Sequence, residues 1–304
     1  MAGFHTQSTT VLFERAPSLD AIEKALATWR PTRRPAAKSV GWSGRDSLLV
    51  RFDDAQNGNV LIDVMDRPWP DSMGDPKQDT ELFGAWTMGA FGPHVFPGNL
   101  ARACQQAVTF RAATDVAKKH RAFVRLRTLY VIDAHKDAKV FPPSWQPLLE
   151  LDTMLQLARR VLDLPGALAM FDPNGEVILP RDQVDASLSH ARNASIPPLD
   201  LFTHVRLFNL AGRPFALMDT VGMERLRLLD AEVLLAARFD PNDGAAFLRN
   251  LSLQHVRRGA VILDGQSTEG PGGRYRAQRR AASVVEPPRP IVRFVPEFMD
   301  LQVD

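Results

Sequence analysis

Residues 59–99, NVLIDVMDRPWPDSMGDPKQDTELFGAWTMGAFGPHVFPGN, decide how the chain is read. The stretch opens as a strand, with Val60, Ile62 and Val64 alternating against Leu61, Asp63 and Met65, and then breaks into a long run of Pro, Gly, Asp, Trp and Phe. Irregular segments beyond about 12–15 residues are uncommon in compact domains and are either functional or disordered. Disordered segments are poor in aromatics, whereas this one carries Trp69, Phe83, Trp86, Phe91 and Phe96. Two readings stand: an ordered cover over the sheet, or a binding loop.

Working outward, the segment TTVLFE at 9–14 reads as a first strand, and Ser18 caps a helix carrying Leu19, Ile22, Leu26 and Trp29 on one face until Pro31 closes it. The link at 31–44 is basic and Pro-rich, a solvated connection. Strands at 47–52 and 59–65 flank the turn signal Asn57-Gly58. Beyond the central run, Asn99 caps a helix predicted over 100–120, followed by a strand at 122–132. That strand has Val124, Leu126, Tyr130 and Ile132 on one face and Arg125 and Arg127 on the other. The order is β-α-β-β-α-β, as in ferredoxin-like folds. After a Pro-rich crossing at 140–147, the chain repeats that order loosely. Helices are expected at 148–163, from Asp182 and at 245–258, and strands at 167–171, 177–179, 204–210, 215–220, 225–236, 260–263 and 291–294. The hairpin at 204–220 turns on Ala211-Gly212-Arg213, and DGQSTEGPGG reads as a flexible turn. The expectation is an α/β protein of α+β type, with two ferredoxin-like-order units at 1–138 and 148–304. Each has a mixed or antiparallel sheet with helices on one face.

The 304 residues are 45% hydrophobic and 24% charged, ordinary for a globular protein. One cysteine, Cys104, permits no internal disulfide and suits a reducing cytoplasm. No apolar run approaches the roughly 20 residues that span a bilayer, and the start MAGFHTQSTT lacks a signal-peptide core, so the expected location is cytoplasmic, with no membrane insertion. A net charge of +2 argues against a nucleic-acid partner, yet the charge is uneven. Asp63, Asp66, Asp71, Asp75, Asp79 and Glu81 outweigh Arg67 and Lys77 by four, while Arg274, Arg276, Arg279, Arg280, Arg289 and Arg293 outweigh Glu286 by five.

Catalytic patterns do not emerge. Cys104 lies on the apolar side of a predicted helix and reads as a structural thiol. The seven histidines show no i, i+4 pair and no HExxH, so no zinc site is expected. Ser267 lacks the GxSxG elbow, no phosphate-binding glycine loop follows a strand, and the carboxylates of the central run fit no EF-hand spacing, leaving no expected cofactor. What remains is a cluster of aromatics among acids, a composition suited to contact hot spots: Asp66, Trp69, Asp71, Asp75, Trp86 and His94 are the candidate partner-binding residues.

The blocks DVMDRPWPDSMGDP, LFGAWTMGAFGPHVFPGNLARACQQA, HRAFVRLRTLYV, LPGALAMFDPNGEV, LMDTVGMERL, FLRNLSLQHVRRG and DGQSTEGPGGRYRAQRRAASVVEPPR resemble the bacterial family catalogued as domain of unknown function 4261. The likeness covers most of the chain and is closest around Thr220, Gly222, Met223, Asp264, Gly265 and Thr268. The resemblance implies a bacterial α/β protein of a kind similar to genes found beside type VI secretion and secreted-toxin clusters, and it carries over no catalytic residue. The resulting expectation is a non-catalytic cytosolic protein-binding protein, an immunity protein (antitoxin) or adaptor for a cognate toxin or secretion component. The alternative is an enzyme, such as a hydrolase, whose site residues lie far apart in sequence.

Overall fold

The computed structural model describes residues 4–36, 41–42, 45–210, 212, 215–236, 238–259 and 261–298. The protein is α+β and divides into two compact units, residues 1–193 and 194–304. The division differs from the one expected between 138 and 148.

In the first unit β1 (Gln7–Phe13) leads to α1 (Leu19–Ala25), capped by the Ser18 side chain, which accepts from Ala21 N. A short β2 (Thr32–Arg34) precedes the hairpin of β3 (Ser47–Asp53) and β4 (Gly58–Met65). Asn57 supplies the positive φ of +57° that this turn requires, and its amide ties the turn to Tyr130 O and Ile132 O at 2.9 and 2.8 Å. Then come α2 (Thr80–Thr87), α3 (Asn99–Gln106) and α4 (Ala113–Lys119), and after them β5 (Ala122–Leu129). The helix expected over 100–120 is thus broken in two. Next follow α5 (Pro147–Val161), β6 (Ala167–Asp172), β7 (Val177–Leu179) and α6 (Arg181–Ala194).

The seven strands form one antiparallel sheet ordered β2-β3-β4-β5-β1-β6-β7. The chain order over the first 129 residues is β-α-β-β-β-α-α-α-β, which adds β2 and two helices to the expected β-α-β-β-α-β. The spatial order is not the ferredoxin-like one, because β5 enters between β4 and β1. The unit runs on past residue 138 because β6 pairs with β1, Thr10 opposite Phe171 and Val11 opposite Met170. Both faces are covered, not one. Helix α5 packs Leu151, Met154, Leu155 and Ala158 under β1, β5 and β6. On the opposite face Leu12, Met65, Phe123, Ala169, Phe171 and Ile178 meet a roof formed by α2 to α4 and the chain around them. Trp29, expected to close the first helix, sits half-buried in a 3₁₀ turn, and the fully buried position falls to Leu26.

The second unit contains β8 (His204–Asn209), β9 (Phe215–Val221), a 3₁₀ turn (Met223–Leu226), β10 (Asp230–Ala236), α7 (Pro241–Arg258), β11 (Ser267–Gly270), β12 (Gly273–Arg280) and β13 (Ile291–Pro296). Its mixed sheet is ordered β11-β12-β13-β10-β9-β8, with β10 and β13 parallel. The order expected to repeat is absent, since α5, β6, β7 and α6 belong to the first unit. Helix α7 lies on β8 to β10, its Leu248 and Leu251 packed with Met218, Val233, Leu235, Tyr275 and Phe294. The expected strand at 225–236 begins only at Asp230, and residues 261–263 are loop, Ala260 lying outside the described residues. The hairpin-turn residues Ala211 and Arg213 also lie outside them. DGQSTEGPGG is not a loose turn; it supplies β11 and the tight turn into β12.

Candidate protein-binding site

The roof is built from its aromatic underside. Trp69 is 4% exposed and meets four rings edge-on, Phe123 and Phe171 of the sheet at 5.2 Å each, Phe91 at 5.3 Å and Trp86 at 6.4 Å. Its indole Nε1 donates to Asn99 Oδ1 at 3.0 Å, and its backbone N–H donates to His120 Nε2 at 2.9 Å. Trp86 is also buried, stacked at a tilt on Phe91. These two residues therefore hold the roof down and are not contact anchors on its outer surface. A solvent-facing ring would be a hot-spot candidate, whereas these are core. The roof backbone also presses on β1: Gly92 has φ +127°, and a Cβ there would lie 1.9 Å from Ser8 Oγ.

The carboxylates divide in the same way. Asp71 is half-buried and accepts from Leu100 N and Ala101 N at 2.8 and 2.9 Å, closing the start of α3; burial pushes its carboxyl above the ordinary value, against those two hydrogen bonds. It too is structural. Asp75 is exposed but fixed, with Oδ1 accepting from Lys77 N at 2.7 Å and Gln78 N at 3.0 Å. Asp79 caps α2 and, like Glu81, remains exposed. Asp66 stands exposed on the rim of a groove of about 440 Å³ that Arg45, Asp46 and Val64 also line. His94 is exposed at φ +54°, its carbonyl accepting from Asn174 Nδ2 at 3.0 Å. Of the six candidates, Trp69, Trp86 and Asp71 converge inside the roof, while Asp66, Asp75 and His94 stay outside.

Beneath the roof lies a group that single-residue reading did not reveal. Arg125 is fully buried and donates to Asp63 Oδ1 at 3.0 Å, Ala90 O at 2.9 Å and Trp42 O at 3.0 Å. Arg127 bonds Asp63 Oδ2 and Ala90 O at 3.2 Å and lies 3.1 Å from His5 Nε2. Burial alone would raise the Asp63 carboxyl, but the two guanidiniums more than offset it and hold it at about 2. Burial, followed by the same arginines, lowers His5 well below the usual histidine range. The readable signal was parity: Asp63, Arg125 and Arg127 occupy positions facing Phe123 and Met65, not solvent. On the other face, Glu150 is fully buried and accepts from Thr6 Oγ1 at 2.6 Å, burial raising its pKa.

The basic stretch of the second unit is largely neutralised. Arg289 bonds Asp219 and Asp230, Arg293 bonds Glu232, and Arg276 pairs with Glu297 at 3.0 Å. Among the described residues, no group of three or more His, Cys, Asp or Glu is placed to hold a metal ion, and no helix is long and apolar enough to cross a membrane.

No family model, curated protein or solved structure matches this chain. The resemblance to domain of unknown function 4261 therefore stays a proposal resting on the quoted motifs.

Proposed function

We propose that the protein is a non-catalytic, cytoplasmic binding protein that meets a basic protein partner through the outer surface of its roof, as an immunity protein or adaptor for a secreted bacterial toxin. The observation that carries the binding reading is the pairing of a rigid underside with a charged exterior. Asp66, Asp75, Asp79 and Glu81 are exposed, and Asp75 and Asp79 are held by backbone hydrogen bonds above five interlocked rings. A preorganised surface loses little entropy on association, and a field of one sign speeds encounter with a partner of the other. The toxin assignment draws on the motif likeness to the family named above, with its similarity to genes beside type VI secretion clusters.

The test is co-purification with the product of an adjacent gene, followed by association kinetics. Asp66→Asn, Asp75→Asn and Glu81→Gln remove charge while keeping shape and, at Asp75, the acceptor oxygen. Combined, they are expected to slow association several-fold at low salt and leave dissociation nearly unchanged. Unchanged association at low salt would refute the assignment of this surface.

The enzyme reading predicts perturbed groups converging in a cleft. Asp63 and Glu150, displaced groups on the two sheet faces, are sealed inside, and His5 is half-buried against Arg127. The groove beside Asp66 is lined by none of them.

A further inference from the structure

We propose that His120 is an acid-sensitive latch on the roof, closed at neutral pH and released as the medium acidifies. Its consequence for a partner rests on the binding reading above; the latch itself does not.

His120 follows the last turn of α4 and is 3% exposed. Its Nδ1 lies 2.6 Å from Ala117 O, and its Nε2 lies 2.9 Å from Trp69 N. A carbonyl only accepts and a backbone N–H only donates, so Nδ1 carries the hydrogen and Nε2 is bare. A second proton on Nε2 would set N–H against N–H at the point where the roof chain enters. Trp69 is the keystone there: its ring fills the aromatic cluster, and its Nε1 engages Asn99, whose own Nδ2 donates to Pro173 O at 3.2 Å. Two residues on, Asp71 closes α3. Releasing Trp69 thus loosens the surface that carries Asp75, Asp79 and Glu81.

The charges around the ring are mixed. Asp71, from the roof, favours the protonated ring, and Arg121, at the entry to β5, opposes it. Lys118 and Lys119 lie on α4, Lys119 paired with Glu14 of the β1 end at 3.3 Å. On α3, Arg102 and Cys104 bear on Asp71, and Arg102 is paired with Glu176. Burial is the larger influence and places the closed-state pKa below the ordinary histidine value. In the opened roof the ring regains a value of about 6.5, so acid favours opening by about tenfold per pH unit until the closed-state pKa is reached.

The experiment is amide hydrogen exchange on the protein alone, from pH 7 to 5, corrected for intrinsic rates. Opening at Trp69, Leu100 and Ala101 is expected to rise below pH 6.5, by about tenfold per unit until the closed-state pKa is reached and levelling off beyond it, with Val124 and Leu126 of β5 unmoved. His120→Gln retains an acceptor for Trp69 N–H without titrating, and is expected to be flat. Ring-nitrogen NMR at neutral pH should show the Nδ1–H tautomer. The Nε2–H tautomer, or equal acid dependence in His120→Gln, would overturn the latch. If that variant does not fold, the wild-type tautomer and the contrast between Trp69 and β5 decide. A latch that opens while partner affinity stays constant over the same pH range would refute the roof as the contact surface and leave the latch standing.

Discussion

Truncating Trp69 distinguishes a core ring from a contact anchor. The ring is 4% exposed and touches Trp86, Phe91, Phe123 and Phe171. Its removal combines lost transfer energy with a cavity the surrounding rings cannot fill, and Trp→Ala changes of this kind cost about 3–5 kcal/mol. Trp69→Phe keeps most of the ring but leaves Asn99 Oδ1 buried without its donor, which costs about 1–3 kcal/mol. The larger loss is a large fraction of the roughly 5–15 kcal/mol that holds a domain together. Urea denaturation followed by far-ultraviolet circular dichroism is the appropriate assay, because the changed residue is itself a fluorophore. With two units, two transitions are expected, and only that of the first unit should move. A loss below about 1 kcal/mol for Trp69→Ala would show that the ring is not the roof's keystone.

Other consequences follow from the buried groups. Asp63→Asn leaves Arg125 and Arg127 enclosed without a counter-charge and should cost about 3–5 kcal/mol by denaturant midpoint. Because Asp63 is held at about 2, below its unfolded value, its stabilisation is present above about pH 4 and fades as pH falls through 2; Asp63→Asn should lose that acid-dependent component. Glu150 behaves oppositely. Its raised pKa means that ionisation opposes folding, so Glu150→Gln should gain melting temperature at pH 7 to 8 and lose that advantage below about pH 4.5, and a pH-independent difference would contradict this. Burial lifts the Cys104 thiol to about 11, so disulfide-reagent labelling should be slow at pH 7, and Cys104→Ser should remain folded with partner binding unchanged.

The strands β1, β3, β4 and β5 were legible because alternation and the Asn57-Gly58 turn act locally, and α5 and α6 because their apolar spacing is regular. Pairing of β6 with β1 is not local, so the boundary at residue 193 left no mark in composition. Helix α2 was hidden by its brevity and by Gly84, and the break between α3 and α4 falls in AVTFRA, where no proline or glycine announces it. Of the six candidate residues, Asp66, Asp75 and His94 are exposed and the other three are not, because nothing within a Pro-rich loop states which way Trp69 faces. That direction is set by Asn99, 30 residues on, and by His120, 51 residues on.

The polar residues inside the second sheet also restrict how it can assemble. Arg206, Asp219, Glu232 and Arg293 lie directly opposite one another across β8, β9, β10 and β13. A shift of two residues keeps each side chain on its own face, so hydrophobic patterning alone does not forbid it. Sliding β8 along β9 would place Arg206 against Leu217 or Val221. Sliding β10 along β13 would place Glu232 against Ile291 or Val295. Every such mispairing encloses an ion beside hydrocarbon, at a penalty of several kcal/mol per ion. The row thus works as a tumbler lock, closing on one alignment and penalising both neighbouring ones while the sheet is still being built.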